Sequence, residues 1–293
     1  MDDTWRAGPR VTGDGGIELA TWDLGGEGPP LLLVHGTGFC ARVWEPLAGP
    51  LRAAGWRVWA VDQRGHGRSG HAPGGDYRDW DHLAIDLAAV ADALAPDGGL
   101  AAAGHSLGGA VMLRAEQLRP GSFSALHCYE PVVVPPGDSS SDPARLAVVA
   151  RQRRPVWPSR EAAADNYATK PPFAGMDRRV LRAYVEHGLL DRPDGSVELA
   201  CSPEEEASFY GGAMRAGVWE HLGEVELPVT VARGGDDAPP ANLAAAIVAR
   251  LPAGRLERFD DLDHFGPMTD PERVGEAVAG ALAPARATGS PRG

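Results

Sequence analysis

The chain has 293 residues, 43% of them hydrophobic and 23% charged, with a formal net charge of −12. That length suits one large α/β domain carrying an insertion; Lys170 is the only lysine, and no basic stripe is present to hold nucleic acid. The acidic start, Met1-Asp2-Asp3-Thr4, lacks the basic-then-apolar order of a secretory leader, and no apolar run is long enough to span a bilayer, so a cytoplasmic protein without membrane attachment is expected.

Val11 and residues 17–22 alternate in polarity around Gly13-Asp14-Gly15-Gly16, which predicts an opening antiparallel hairpin. Apolar runs at 31–34, 56–61, 100–103 and 125–129 read as strands, with helical patterns at 43–54, 80–94 and 107–118 between them. This alternation builds a mostly parallel sheet with helices on both faces, and ligands in such sheets bind beyond the carboxyl ends of the strands. The rhythm stops after Pro131, and strand signals return only at 229–232 and 256–259. The intervening segment carries helical patterns near 143–154, 160–168, 177–187 and 203–216. It reads as a helical cap at 136–225, inserted into a core formed by 1–135 and 226–283. Residues 284–293, rich in Pro, Gly, Ser and Arg, are expected to be a flexible tail.

Cys40, Cys128 and Cys201 are scattered, odd in number and without metal spacing, so free thiols are expected, with no bound metal and no cofactor.

The chemistry concentrates at Gly104-His105-Ser106-Leu107-Gly108-Gly109, directly after the 100–103 run. A strand turning sharply into a helix lifts a serine hydroxyl clear of the sheet, and glycines two residues either side of Ser106 admit the close approach this turn needs. A base, an orienting carboxylate and oxyanion donors must accompany such a nucleophile. His264, in the loop after the last strand, is the candidate base. Asp237, in the loop after 229–232, is the first candidate acid; its neighbour Asp236 and Glu130, after the 125–129 strand, are the alternatives. The oxyanion donors are expected to be the amides of Leu107 and of Thr37, in His35-Gly36-Thr37-Gly38. His35 reads as a brace for that loop.

These segments together resemble the α/β-hydrolase family. His35 to Gly38 looks like its oxyanion loop, Asp62-Gln63-Arg64-Gly65-His66-Gly67-Arg68-Ser69 like its loop after the next strand, and Gly104 to Gly109 like its nucleophile elbow. The resemblance implies an α/β-hydrolase fold with an eight-stranded, mostly parallel sheet and cofactor-free catalysis. It favours Asp237 over Asp236, since the family's acid usually stands three residues after the first glycine of its loop, here Gly234. Some relatives carry the acid after the preceding strand, which keeps Glu130 in view. It implies structural roles for Arg64, His66 and Arg68.

The function expected is a serine hydrolase acting on an ester, lactone or thioester of a small to medium apolar substrate, through Ser106, His264 and Asp237. Phe39, Trp157, Tyr210 and Met214 are the candidate substrate-binding side chains, because pockets are lined mainly by apolar groups. Carbon–carbon bond hydrolysis on the same triad and a non-catalytic ligand receptor on this fold are the alternatives. A dinucleotide reading of Gly36-Thr37-Gly38-Phe39-Cys40-Ala41, with Asp62 on a ribose, also fits formally, but it has no use for the serine elbow or His264.

Overall fold

The computed structural model describes residues 5–138 and 140–283. The expected tail at 284–293 and the first four residues lie outside this range. Strands β1 (Arg6–Thr12) and β2 (Glu18–Asp23) form the opening hairpin, followed by β3 (Pro30–Val34), α1 (Glu45–Ala53), β4 (Arg57–Val61), α2 (Trp80–Leu94), β5 (Ala101–His105), α3 (Leu107–Leu118) and β6 (Ala125–Tyr129). The insertion then carries α4 (Pro143–Arg151), β7 (Val156–Trp157), α5 (Arg160–Tyr167), α6 (Arg178–His187), β8 (Leu189–Asp191), β9 (Val197–Leu199) and α7 (Pro203–Gly212). The chain closes with β10 (Val229–Gly234), α8 (Ala244–Val248), β11 (Gly254–Phe259), α9 (Gly266–Thr269) and α10 (Pro271–Leu282).

The main sheet has eight strands in the order β1-β2-β4-β3-β5-β6-β10-β11. Pairing is antiparallel from β1 through β2 to β4 and parallel from β4 to β11. Strand alternation sorts the apolar side chains onto two faces. Leu31 and Leu33 join Leu47 of α1 and Val278 of α10, whereas Leu32 and Val34 join Leu87 of α2 and Val111 of α3. Both faces are covered, which is why the central strands read as unbroken apolar runs.

The insertion differs from the all-helical expectation. Its two short strands β8 and β9 pair antiparallel, and β9 also pairs with β7, giving a small three-stranded sheet. The connecting turn is Pro193-Asp194-Gly195, with Gly195 at φ +83° and its amide donating to the Arg192 carbonyl. Asp-Gly between apolar residues is a hairpin signal, but strands of three residues are too short to show alternation. Among the described residues, no helix is long and apolar enough to cross a membrane.

Candidate active site

The elbow is built by close backbone contact. A Cβ on Gly104 would lie 2.9 Å from the Gly108 carbonyl carbon, and one on Gly108 would lie 2.4 Å from the Val34 carbonyl oxygen. Only glycine lets β5, α3 and the end of β3 meet this closely. Ser106 itself has φ +54°, a strained conformation for a residue with a side chain. Its amide donates to the Tyr129 carbonyl at 3.0 Å, which ties the turn to β6.

Ser106 Oγ lies 3.2 Å from His264 Nε2. His264 Nδ1 lies 2.7 Å from a carboxylate oxygen, and that carboxylate is Glu130. Glu130 directly follows β6, is only 1% exposed, and has φ +44°. Its second oxygen accepts from the Gly234 amide at 2.7 Å, and its own amide donates to the Ala232 carbonyl. Among the described residues, Ser106 and Glu130 are the two non-glycine residues with positive φ, and both sit in this site.

Asp237, the first expectation for the acid, is not on His264. Its side chain is 97% exposed and lies 3.3 Å from Arg233 Nη2. The neighbouring Asp236 is also exposed. The reason lies in the backbone before them. Cβ atoms on Gly234 and Gly235 would strike the carbonyl oxygens of Leu262 and Asp260 at 2.4 and 2.1 Å. The glycine pair thus packs flat against the His264 loop, and Arg233 holds the following turn through the Gly234 and Asp236 carbonyls. The aspartates leave on the solvent side.

Three successive carbonyls of the histidine loop are pinned from different elements. The Gly235 amide donates to Leu262, the Tyr129 hydroxyl to Asp263 at 2.8 Å, and His105 Nε2 to His264 at 2.8 Å. Because a carbonyl can only accept, His105 carries its proton on Nε2, and its buried Nδ1 has no partner. Burial, chiefly, and the neighbouring His264 hold the His105 pKa well below the usual histidine range, so the ring stays neutral.

The expected oxyanion loop is equally fixed. His35 Nδ1 donates to the Gly36 carbonyl and Nε2 accepts from the Gln63 amide; His66 Nε2 accepts from the Gly38 amide at 3.0 Å. Burial keeps both rings neutral by lowering their pKa values. The Gly38 and Phe39 amides are thereby engaged, the latter by the Gly36 carbonyl. The Thr37 amide has no acceptor among the described residues. Leu107 opens α3, so its amide has no intrahelical acceptor either. Asp62 spends its carboxylate on the Ala41 and Arg68 amides and the Trp22 indole, which leaves nothing for a ribose.

Of the four expected substrate-binding side chains, Phe39 is near the histidines, with its ring 6.4 Å from His105 and 6.3 Å from Phe265. Trp157 is buried in the insertion and is separated from Phe39 by Tyr167 and then Phe173 or Tyr184. Tyr210 packs on the alanines between α4 and α7. Met214 is 50% exposed and lines a separate cavity of about 150 Å³ between residues 132–136 and 213–220. Sequence periodicity places a residue on a helix face but not on the face that meets the core. Phe265, whose ring is 5.1 Å from His264, was missed although it adjoins the histidine in sequence. Among the described residues, no group of three or more His, Cys, Asp or Glu side chains is arranged to share a metal ion.

The sequence profile described as the alpha/beta hydrolase family matches residues 31–277. This chain belongs to the α/β-hydrolase family. It is 30% identical over 273 residues to a non-heme chloroperoxidase of Streptomyces lividans, covering 89% of this chain and 95% of that one. It is 29% identical to lipase LipV of Mycobacterium tuberculosis, over 92% of this chain and 99% of the relative. In fold, this α/β-hydrolase superposes on the crystal structure of E-2-(acetamidomethylene)succinate hydrolase with a TM-score of 0.79 and 23% identity, covering 95% and 99% of the two chains.

Proposed function

We propose that this α/β-hydrolase is a serine esterase in which Ser106, His264 and Glu130 form the catalytic triad. The observation that carries the reading is the continuous relay from Ser106 Oγ through the imidazole to the buried Glu130 carboxylate. Glu130 accepts the Nδ1 proton, which fixes the tautomer that leaves Nε2 basic toward the serine. His264 takes the hydroxyl proton as Ser106 Oγ bonds to the acyl carbon, then returns it to the departing alcohol or thiol. Water, deprotonated by the same imidazole, adds to the acyl carbon; the acyl–serine bond breaks, His264 returns the proton to Ser106 Oγ, and the acid is released. The Thr37 and Leu107 amides hold the tetrahedral oxyanion, each such donor contributing roughly 3–4 kcal/mol in the transition state.

The aromatic group around Phe39, with Phe173, Tyr184 and Phe265, favours an apolar substrate body. The insertion supplies two of those rings and acts as a cap limiting access to the serine. A relative named as a lipase supports ester cleavage. The deciding experiment is intact mass spectrometry after exposure to a fluorophosphonate. A single adduct on the wild type, absent from Ser106→Ala, is expected. No adduct on folded wild-type protein would remove the serine-hydrolase reading in favour of a receptor.

A further inference from the structure

A largely buried ion pair that the triad does not use, with side chains 20% and 8% exposed, lies between the insertion and the oxyanion loop. Arg153 follows α4, and Glu206 stands on α7. Arg153 Nη1 donates to Glu206 Oε2, while Nη2 donates to the hydroxyls of Tyr184 at 2.6 Å and Tyr167 at 3.4 Å. A Cβ on Gly38 would come within 3.0 Å of the Glu206 carboxyl carbon and 3.2 Å of Arg153 Nη1. The guanidinium therefore rests against the residue next to Thr37. The surroundings are otherwise aromatic: Tyr167, Phe173 and Tyr184 pack on one another, and Phe39 joins the latter two.

Stability alone does not account for this arrangement, since a buried ion pair is often no better for folding than apolar side chains of the same volume. What a fixed guanidinium does supply is a planar set of donors matched to a carboxylate. Glu206 and the two tyrosines occupy only part of that set. No described group accepts from Nε, and Nη1 has a single partner for its two hydrogens. Apolar sites with a few well-placed polar groups use the latter to fix orientation.

Resting on the serine-esterase reading, we propose that Arg153 makes the site selective for acyl groups ending in a carboxylate, such as half-esters of short dicarboxylic acids. The aromatic rings pack the carbon spacer, and the remaining guanidinium donors take the terminal carboxylate. Glu206 and the tyrosine hydroxyls hold the guanidinium in place. With one carboxylate already bound to it, Arg153 favours a singly charged terminus over a phosphate.

The test compares mono-p-nitrophenyl glutarate with p-nitrophenyl valerate, which have the same acyl length and differ in the terminal charge. Wild-type protein should prefer the glutarate half-ester in kcat/KM. In Arg153→Met the ratio of the two kcat/KM values should fall on the order of 100-fold, mostly through KM, with Arg153→Lys in between. Because Arg153→Met leaves Glu206 buried and unpaired, Arg153→Met/Glu206→Gln serves as the charge-balanced variant and should show the same fall. Equal losses on both esters, or no preference in the wild type, would overturn the proposal. Failure of the wild type to cleave either ester counts against the esterase reading instead. Calorimetric titration with glutarate reads the carboxylate site independently of turnover: binding to the wild type weakened in Arg153→Met supports the proposal, and equal or absent binding overturns it.

Discussion

One oxygen of Glu130 accepts from the Gly234 amide while the other meets His264 Nδ1. The end of β10, whose loop carries Asp237, therefore supports the carboxylate that orients the histidine and does not supply it. Both Glu130 oxygens are engaged and its side chain is only 1% exposed, so the imidazole has one favoured orientation.

Glu130→Gln should lower kcat on an activated ester by about 10³- to 10⁴-fold, as expected when the orienting group no longer fixes the tautomer. Asp237→Asn should change it by less than about twofold, because a side chain 97% exposed is not coupled to the imidazole. Steady-state kinetics on the two variants settles the assignment; the reverse ranking would return the role to Asp237.

Ser106 has φ +54°, where a Cβ is strained and glycine is not. Ser106→Gly should therefore be more stable than Ser106→Ala by about 1 kcal/mol, opposite to the usual preference for alanine. Both variants should be inactive. Urea denaturation of the pair makes the comparison, and a more stable alanine variant would remove strain from the account of the elbow.

His105 Nε2 holds the His264 carbonyl at 2.8 Å, which on the proposed triad would make it a positioning residue. Replacing it with leucine keeps an apolar volume but frees that carbonyl. A displacement of the imidazole by about 1 Å would slow fluorophosphonate labelling of Ser106 by roughly 100-fold. The loss should fall on kcat more than on KM, and a change confined to thermal stability would reduce His105 to a packing role.

His71 joins the core to the insertion, with Nδ1 2.6 Å from Glu205 Oε1. That hydrogen bond raises the His71 pKa above its ordinary 6.5, against a smaller opposing effect of burial. Burial pushes the Glu205 pKa up, but bonds from His71 and Ser202 outweigh it and bring the value down to about 2. A folded pKa above the unfolded one stabilises fully below the unfolded value, and the gain is lost as pH rises through the folded value. Between about pH 5.5 and 8.5, the Tm of wild type should fall more than that of His71→Gln. The difference should be small, since the His71 side chain is 42% exposed. Parallel Tm curves would show that the pair does not couple pH to stability.

Much of the architecture was legible from the order of residues. The runs at 31–34 and 100–103 are buried on both faces, as is most of 125–129, so apolar character marked them, and the glycines around Ser106 marked the elbow because no other residue fits the contact of Gly108 with Val34 or of Gly104 with α3. His264 could be named from its place after the last strand. The strands of the insertion were not legible, since segments of two or three residues carry no periodicity.

Sequence by itself determined the sheet, the serine elbow and the histidine, because each depends on local pattern or on steric limits at single glycines. Tertiary structure alone decided which carboxylate meets the imidazole and which insertion side chains approach it. Asp237 and Glu130 both follow parallel strands of one sheet and are equivalent as sequence signals. They are separated by the packing of Gly234 and Gly235 against the histidine loop, which turns Asp237 outward, and by the left-handed backbone of Glu130, which turns its carboxylate toward His264.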